Sequence, residues 1–130
     1  MRSYLNKNYQ NLEEIANNQK KKYLENTPFP HIEFQDFFCD ELMNEIIKEF
    51  PSNLDILGIK HENEVEKKFA LPVYDKLSES AKYLINQLNS FEFVNFLNII
   101  TGIKEPLIPD PYLEGGGYHE LKQNGFLNIH

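Results

Sequence analysis

"PDPYLEGGGYHELKQNGFLNIH", Pro109 to His130, decides how this 130-residue protein is read. Asn124-Gly125 is a strong short-range hairpin signal, because both central residues of a type I′ turn need positive φ, which Asn and Gly tolerate. Residues 117–122 and 126–130 are the expected arms. A two-residue loop sets His119 opposite His130. A three-residue loop ending on Gly125 sets Tyr118 opposite His130 instead, and the sequence leaves that register open. Directly opposed Cβ atoms lie about 5 Å apart, so two histidines across a ladder can share a metal, but two ligands do not close a structural site. The same residues have plainer readings, His119 as a strand residue bonded to a backbone carbonyl and His130 as a frayed terminal residue. Gly115-Gly116-Gly117 is no phosphate loop, since neither the Lys-Ser/Thr pair nor a strand–turn–helix context accompanies it. Three glycines entering a strand suit a bulge or a close backbone approach.

Upstream the sequence reads as helices. Residues 4–25 form an amphipathic arm, with Tyr9, Leu12, Ala16 and Tyr23 near one face and Ile15 beside them. Lys20 to Lys22 read as a solvated helix end, where cations suit the dipole. Pro28 and Pro30 forbid continuation, and His31-Ile32-Glu33-Phe34 alternates like a short strand. Asp40 is a good N-cap for a helix carrying Leu42, Met43, Ile46, Ile47 and Phe50, which Pro51 ends. Residues 52–66 are polar and irregular, with room for one short strand, and His61 there reads as exposed. Asp75 to Asn89 is the clearest helix, with Leu77, Ala81, Leu84, Ile85 and Leu88 on one face. Ser90 caps a second, with Phe91, Val94, Leu97 and Ile100 as its stripe, and Gly102 stops it.

The totals fit one globular domain: 41% hydrophobic, 25% charged, 10 Phe, 7 Tyr and no Trp. The formal net charge of −7 argues against a nucleic-acid backbone partner, which needs a basic surface. Cys39 is the one cysteine, so neither an intrachain disulfide nor a cysteine-rich zinc site is available; it reads as a small semi-buried residue before a helix. The N-terminus lacks the apolar core of a signal peptide, and no run reaches the ~18 apolar residues of a membrane span. A cytoplasmic protein without a membrane partner is the expectation.

Three phrases are familiar together: "FPHIEFQDFFCDELMNEIIKEFP", "FLNIITGIKEPLIPDP" and the terminal "GGGYHELKQNGFLNIH". Over roughly Pro28 to His130 the sequence resembles the iron(II)- and 2-oxoglutarate-dependent dioxygenases, in particular the prolyl-hydroxylase-like branch. The terminal phrase is the most specific of the three. The resemblance implies an α+β fold, with N-terminal helices packed on the first strands of a double-stranded β-helix, or jelly roll, whose barrel is incomplete in these 130 residues. Its two parts would be residues 1–26, a helical arm, and residues 27–130, the N-terminal part of the dioxygenase-like domain. His130 matches the first histidine of H-x-D, an iron ligand. The aspartate, the distal histidine and the basic residue for the cosubstrate would lie beyond it, and His119 matches a recurrent histidine that is not a ligand.

Implied cofactors are Fe(II) and 2-oxoglutarate, held tightly only by an intact enzyme, with a small-molecule or peptidyl substrate. The 130 residues alone are expected to be inactive. Two alternatives remain: one half of a split dioxygenase, completed by a C-terminal half, and a non-catalytic binding or assembly module that self-associates through open strand edges.

Overall fold

A computed structural model describes residues 2–52, 59–62, 67–71, 74–114 and 116–129, with side chains described outside 53–73. Four α-helices are described: α1 (Leu12–Glu25), α2 (Asp40–Glu49), α3 (Glu79–Leu88) and α4 (Phe91–Thr101). Three short strands, β1 (Ile59–Glu62), β2 (Lys67–Leu71) and β3 (Tyr118–Glu120), form one antiparallel sheet in the order β1-β2-β3. Two 3₁₀ turns, Lys7–Tyr9 and Tyr74–Lys76, precede α1 and α3.

This corrects the expected fold class. The described residues are mostly helical, and no jelly-roll strands are evident among them. The reason is where the apolar surface goes. Buried Leu12 and Ala16 of α1 meet Phe96 and Ile100 of α4, with Leu42 of α2 and Tyr4 and Leu5 of the N-terminal segment closing the cluster. Helix packs on helix, and the three strands, of four, five and three residues, form a small appendage beside that core.

Local signals explain most helix limits. Ser78, Ser90 and Asn11 are N-caps whose side chains accept from the amides of Ala81, Phe93 and Glu14. Gly102, at φ 71, gives α4 its left-handed stop, and its amide donates to the Asn98 carbonyl. Three expectations shift. The arm is a 3₁₀ turn and a helix, because Asn6 and Asn11 each cap a separate start. Cys39 holds the cap position of α2 without a hydrogen bond from its thiol, and Asp40 is the first helical residue. Residues 31–34 form no strand. Instead Phe34 and Phe37 turn into an aromatic cluster with Tyr9, Phe93 and Phe96, ring centroids 4.9–6.5 Å apart.

Each of two expected apolar stripes has one member that is exposed. On α4 the buried residues are Phe96 and Ile100, while Phe91 is 86% exposed. Its sequence FEFVNFLNIIT is apolar almost all round, so periodicity cannot choose a face. On α2, Leu42 is fully buried, whereas Ile47 is 69% exposed.

The N-terminal segment is laced to the residues after α1. Asn6 N donates to Phe37 O at 3.0 Å, Cys39 N donates to Tyr4 O at 2.9 Å, and Leu5 bridges Phe38. Arg2 Nη1 reaches Glu45 Oε2 at 2.7 Å, Ser80 Oγ donates to the same oxygen, and Tyr83 Oη donates to Arg2 O. This lacing buries Tyr4, 6% exposed, with its hydroxyl lacking a hydrogen-bond partner among the described residues. Burial, and secondarily the charge of Glu92, pushes the Tyr4 phenol from 10.0 up to about 12.

The neutral phenol is therefore the form the fold accepts. Stability from this group is complete below pH 10 and is lost as pH rises toward about 12. Tyr4→Phe removes an unsatisfied buried hydroxyl. It is expected to stabilise the protein by about 1 kcal/mol at neutral pH and to flatten that alkaline decline. Urea melts at neutral and alkaline pH measure both effects, and a destabilised Tyr4→Phe would mean that the hydroxyl has a partner.

Candidate functional site

The passage from α4 to β3 is built with unusual care for a loop. Asn98, in the last turn of α4, donates through Nδ2 to Ile103 O at 3.2 Å and Glu105 O at 2.8 Å, and its Oδ1 accepts from Leu107 N at 3.0 Å. Asn89, the C-cap of α3, donates to Ile85 O at 2.9 Å and accepts from Asp110 N. Asp110 in turn accepts from Glu114 N through Oδ1 and from Leu113 N through its carbonyl. Two asparagine side chains thus fix a loop containing Pro106, Pro109 and Pro111, none of which has a backbone amide to donate.

That loop delivers Leu113 into a second apolar cluster with Leu77 and Ala81, against which Ile46, Ile85 and Tyr118 pack. A cavity of about 80 Å³ remains there. Gly117 has φ 155, a conformation other residues rarely adopt, and a Cβ at Gly116 would lie 3.2 Å from Leu113 Cδ2. What lies close to Gly116 on its Cβ side is the Leu113 side chain, and no bulge or backbone neighbour is seen there among the described residues. Gly115 lies outside the described residues.

β3 then pairs with β2, Leu71 opposite Tyr118, Ala70 opposite His119 and Phe69 opposite Glu120. The period-two alternation holds, with Tyr118 and Glu120 half-buried and His119 exposed. The Tyr118 ring lies 4.6 Å from that of Phe50. On this inner face the Tyr118 hydroxyl and Glu120 Oε2 are buried atoms with no hydrogen-bond partner among the described residues.

The expected hairpin takes a different form. Gly125 N donates to Lys122 O at 2.7 Å, and Asn124, not Gly125, has the positive φ, 67. The turn is centred on Gln123-Asn124 with positive φ at its third position, as in type II, whereas the type I′ reading centred it on Asn124-Gly125. Residues 121–129 contain no strand; Leu127 makes only an isolated bridge.

His130, the expected iron ligand, lies outside the described residues, so neither register of His119 or Tyr118 against it is on view. His119 is in β3. The His31 ring lies 5.3 Å from that of Phe29, tilted by 56°, and places Nδ1 2.8 Å from Phe29 O. His61 is in β1, opposite Lys68; its side chain is outside those described. Among the described residues no three His, Cys, Asp or Glu side chains are grouped to hold a metal. Cys39 is half-buried, as expected.

A second concavity, about 410 Å³, opens between α1, the 30–38 segment and α4, lined by Tyr23, Phe34, Phe37, Phe93, Leu97 and Ile100 among others. Its walls are almost wholly apolar, so it offers shape but no acid–base pair. Sequence reasoning missed Asn89 and Asn98; the available signal was, at Asn98, an asparagine in the last turn of the helix ahead of a proline-rich stretch. No described helix is long and apolar enough to cross a membrane. Compared with known proteins, the sequence matches no family model, no curated protein and no solved structure.

Proposed function

We propose that these 130 residues supply part of an iron(II)- and 2-oxoglutarate-dependent dioxygenase of the prolyl-hydroxylase-like kind, in which hydroxylation is coupled to oxidative decarboxylation of 2-oxoglutarate. The single observation that carries the reading is the phrase Gly115 to His130, "GGGYHELKQNGFLNIH", with its resemblance to the segment that leads into H-x-D. Its support in the fold is indirect. Asn98 and Asn89 hold Glu105 and Asp110 of the loop that precedes this phrase, and Gly125 N donates to Lys122 O in a turn within it. In this reading His130 is one iron ligand, and His119, exposed on β3, is not.

The test starts by reading the coding sequence past codon 130 and expressing the longer polypeptide. The expected result is an aspartate two residues after His130, with a histidine and a basic residue further on. Iron-dependent succinate formation should follow, disappearing in His130→Ala while circular dichroism is unchanged. The 130 residues alone should form no succinate. Succinate formation unaffected by His130→Ala, or a reading frame without the aspartate, would overturn the proposal.

A second reading, self-association as an assembly module, is favoured by one observation. Leu121, Phe126, Leu127 and Ile129 are 40% exposed or more in the last ten residues. It requires a concentration-dependent dimer whose formation ignores iron. Light scattering across a dilution series separates the two readings.

A further inference from the structure

We propose that Asn124 is a site of spontaneous, non-enzymatic deamidation, the turn at Lys122–Gly125 setting its rate. Three observations meet at this residue. Asn124 is exposed, and no hydrogen bond to another described residue holds its carboxamide. Gly125 follows it, so no Cβ crowds the next backbone nitrogen. The flanking residues 121–123 and 126–129 are exposed as well, so little burial opposes a local change of backbone angle at Asn124.

The chemistry needs only water. The Gly125 nitrogen loses its proton and attacks the carboxamide carbon, Cγ, of Asn124. The new bond from that nitrogen to Cγ closes a five-membered imide as the bond from Cγ to Nδ2 breaks and ammonia leaves. Water then opens either imide carbonyl, giving aspartate or a β-linked isoaspartate. No electrons are exchanged, and the amide becomes a carboxylate.

One contact opposes the reaction. The attacking nitrogen is the donor that closes the turn, 2.7 Å from Lys122 O. A single exposed turn bond favours the closed form by about tenfold at most, so it slows the reaction without preventing it. Asn89 and Asn98 provide the contrast within the same molecule. Both have the side-chain oxygen and nitrogen engaged in hydrogen bonds, and Ser90 and Ile99 follow them. The consequence at Asn124 is geometric. Isoaspartate inserts a methylene into the backbone where φ is 67, which re-aims residues 126–129, and either product adds one negative charge to a protein at −7.

The test is ageing of the full 130-residue protein at neutral and mildly alkaline pH, followed by peptide mapping with a fragmentation method that separates aspartate from isoaspartate. Asn124 should convert first, isoaspartate should accompany aspartate, and ammonia should appear in equal amount. Unfolding in urea should accelerate conversion by about tenfold, as the turn bond is lost. Gly125→Ala should slow it several-fold with the fold intact, since Gly125 is not in the positive-φ region. Conversion of Asn124 no faster than that of Asn89 or Asn98 would overturn the proposal, and so would a rate unchanged by Gly125→Ala.

Discussion

Leu42→Ala is expected to cost about 2–5 kcal/mol, a large part of the whole stability of a domain this size. Leu42 has no exposed surface, and it sits where α2 meets Leu12, Ala16, Phe96 and Ile100. Removing it takes apolar surface from the centre of the cluster and leaves a cavity that three helices would have to collapse to fill. The neighbouring Ile47 makes the control. It lies on the same helix and is 69% exposed, so Ile47→Ala should change stability by less than about 0.5 kcal/mol. Urea unfolding followed by circular dichroism measures both. A loss below about 1 kcal/mol for Leu42→Ala would contradict its place in the core.

Asn98→Ala should be the most damaging single change to the functional passage, at about 1–3 kcal/mol. Three hydrogen bonds end on this one side chain, and each fixes a different residue of the loop: Ile103, Glu105 and Leu107. Alanine preserves the helix and removes all three. The loss should be local first, with faster amide exchange at Leu107 and easier proteolysis within residues 103–114, before global unfolding is affected. Asn98→Asp keeps an acceptor for the Leu107 amide and loses both donations, so it should rescue protection at Leu107 without restoring the loop's resistance to protease. Unchanged proteolysis in Asn98→Ala would show that Asn89 and the apolar seat of Leu113 hold the loop alone.

These two residues mark how far the sequence can be read. Leu42 is legible, because helical periodicity from Asp40 to a proline stop leaves little choice. Ser90 and Gly102 are legible as cap and stop for the same reason, since capping acts within one turn. Ile47 and Phe91 read as members of buried stripes, yet both are exposed. For Phe91 the reason is that a helix of nearly continuous apolar character has no unique inner face until its neighbours are known; Ile47 lies at the edge of the α2 stripe. The pairing of β3 is hidden for a related reason. The asparagine–glycine pair points to a local partner downstream, whereas the ladder runs to residues 69–71, far upstream, beside a stretch whose polar composition suggests little structure.

Less of the candidate site is legible. His119 falls on a strand, as read. The carboxylate oxygen and phenol with no partner among the described residues on the inner face of β3 could not be foreseen, since alternation alone does not say what faces Tyr118 and Glu120. The jelly roll inferred from resemblance is replaced by a helical core with a three-stranded sheet beside it.

The pairing of α1 with α4 has a consequence for how the protein is made. Ala16 and Ile100 share one cluster but stand far apart in the sequence. A ribosome adding roughly 5–20 residues per second needs on the order of 4–17 s to travel between them. For that interval α1 is outside with its inner stripe still seeking a neighbour, and a 14-residue helix alone is marginal in water. The lacing of Leu5 to Phe38 can form first, giving the nascent polypeptide an early clasp around α1.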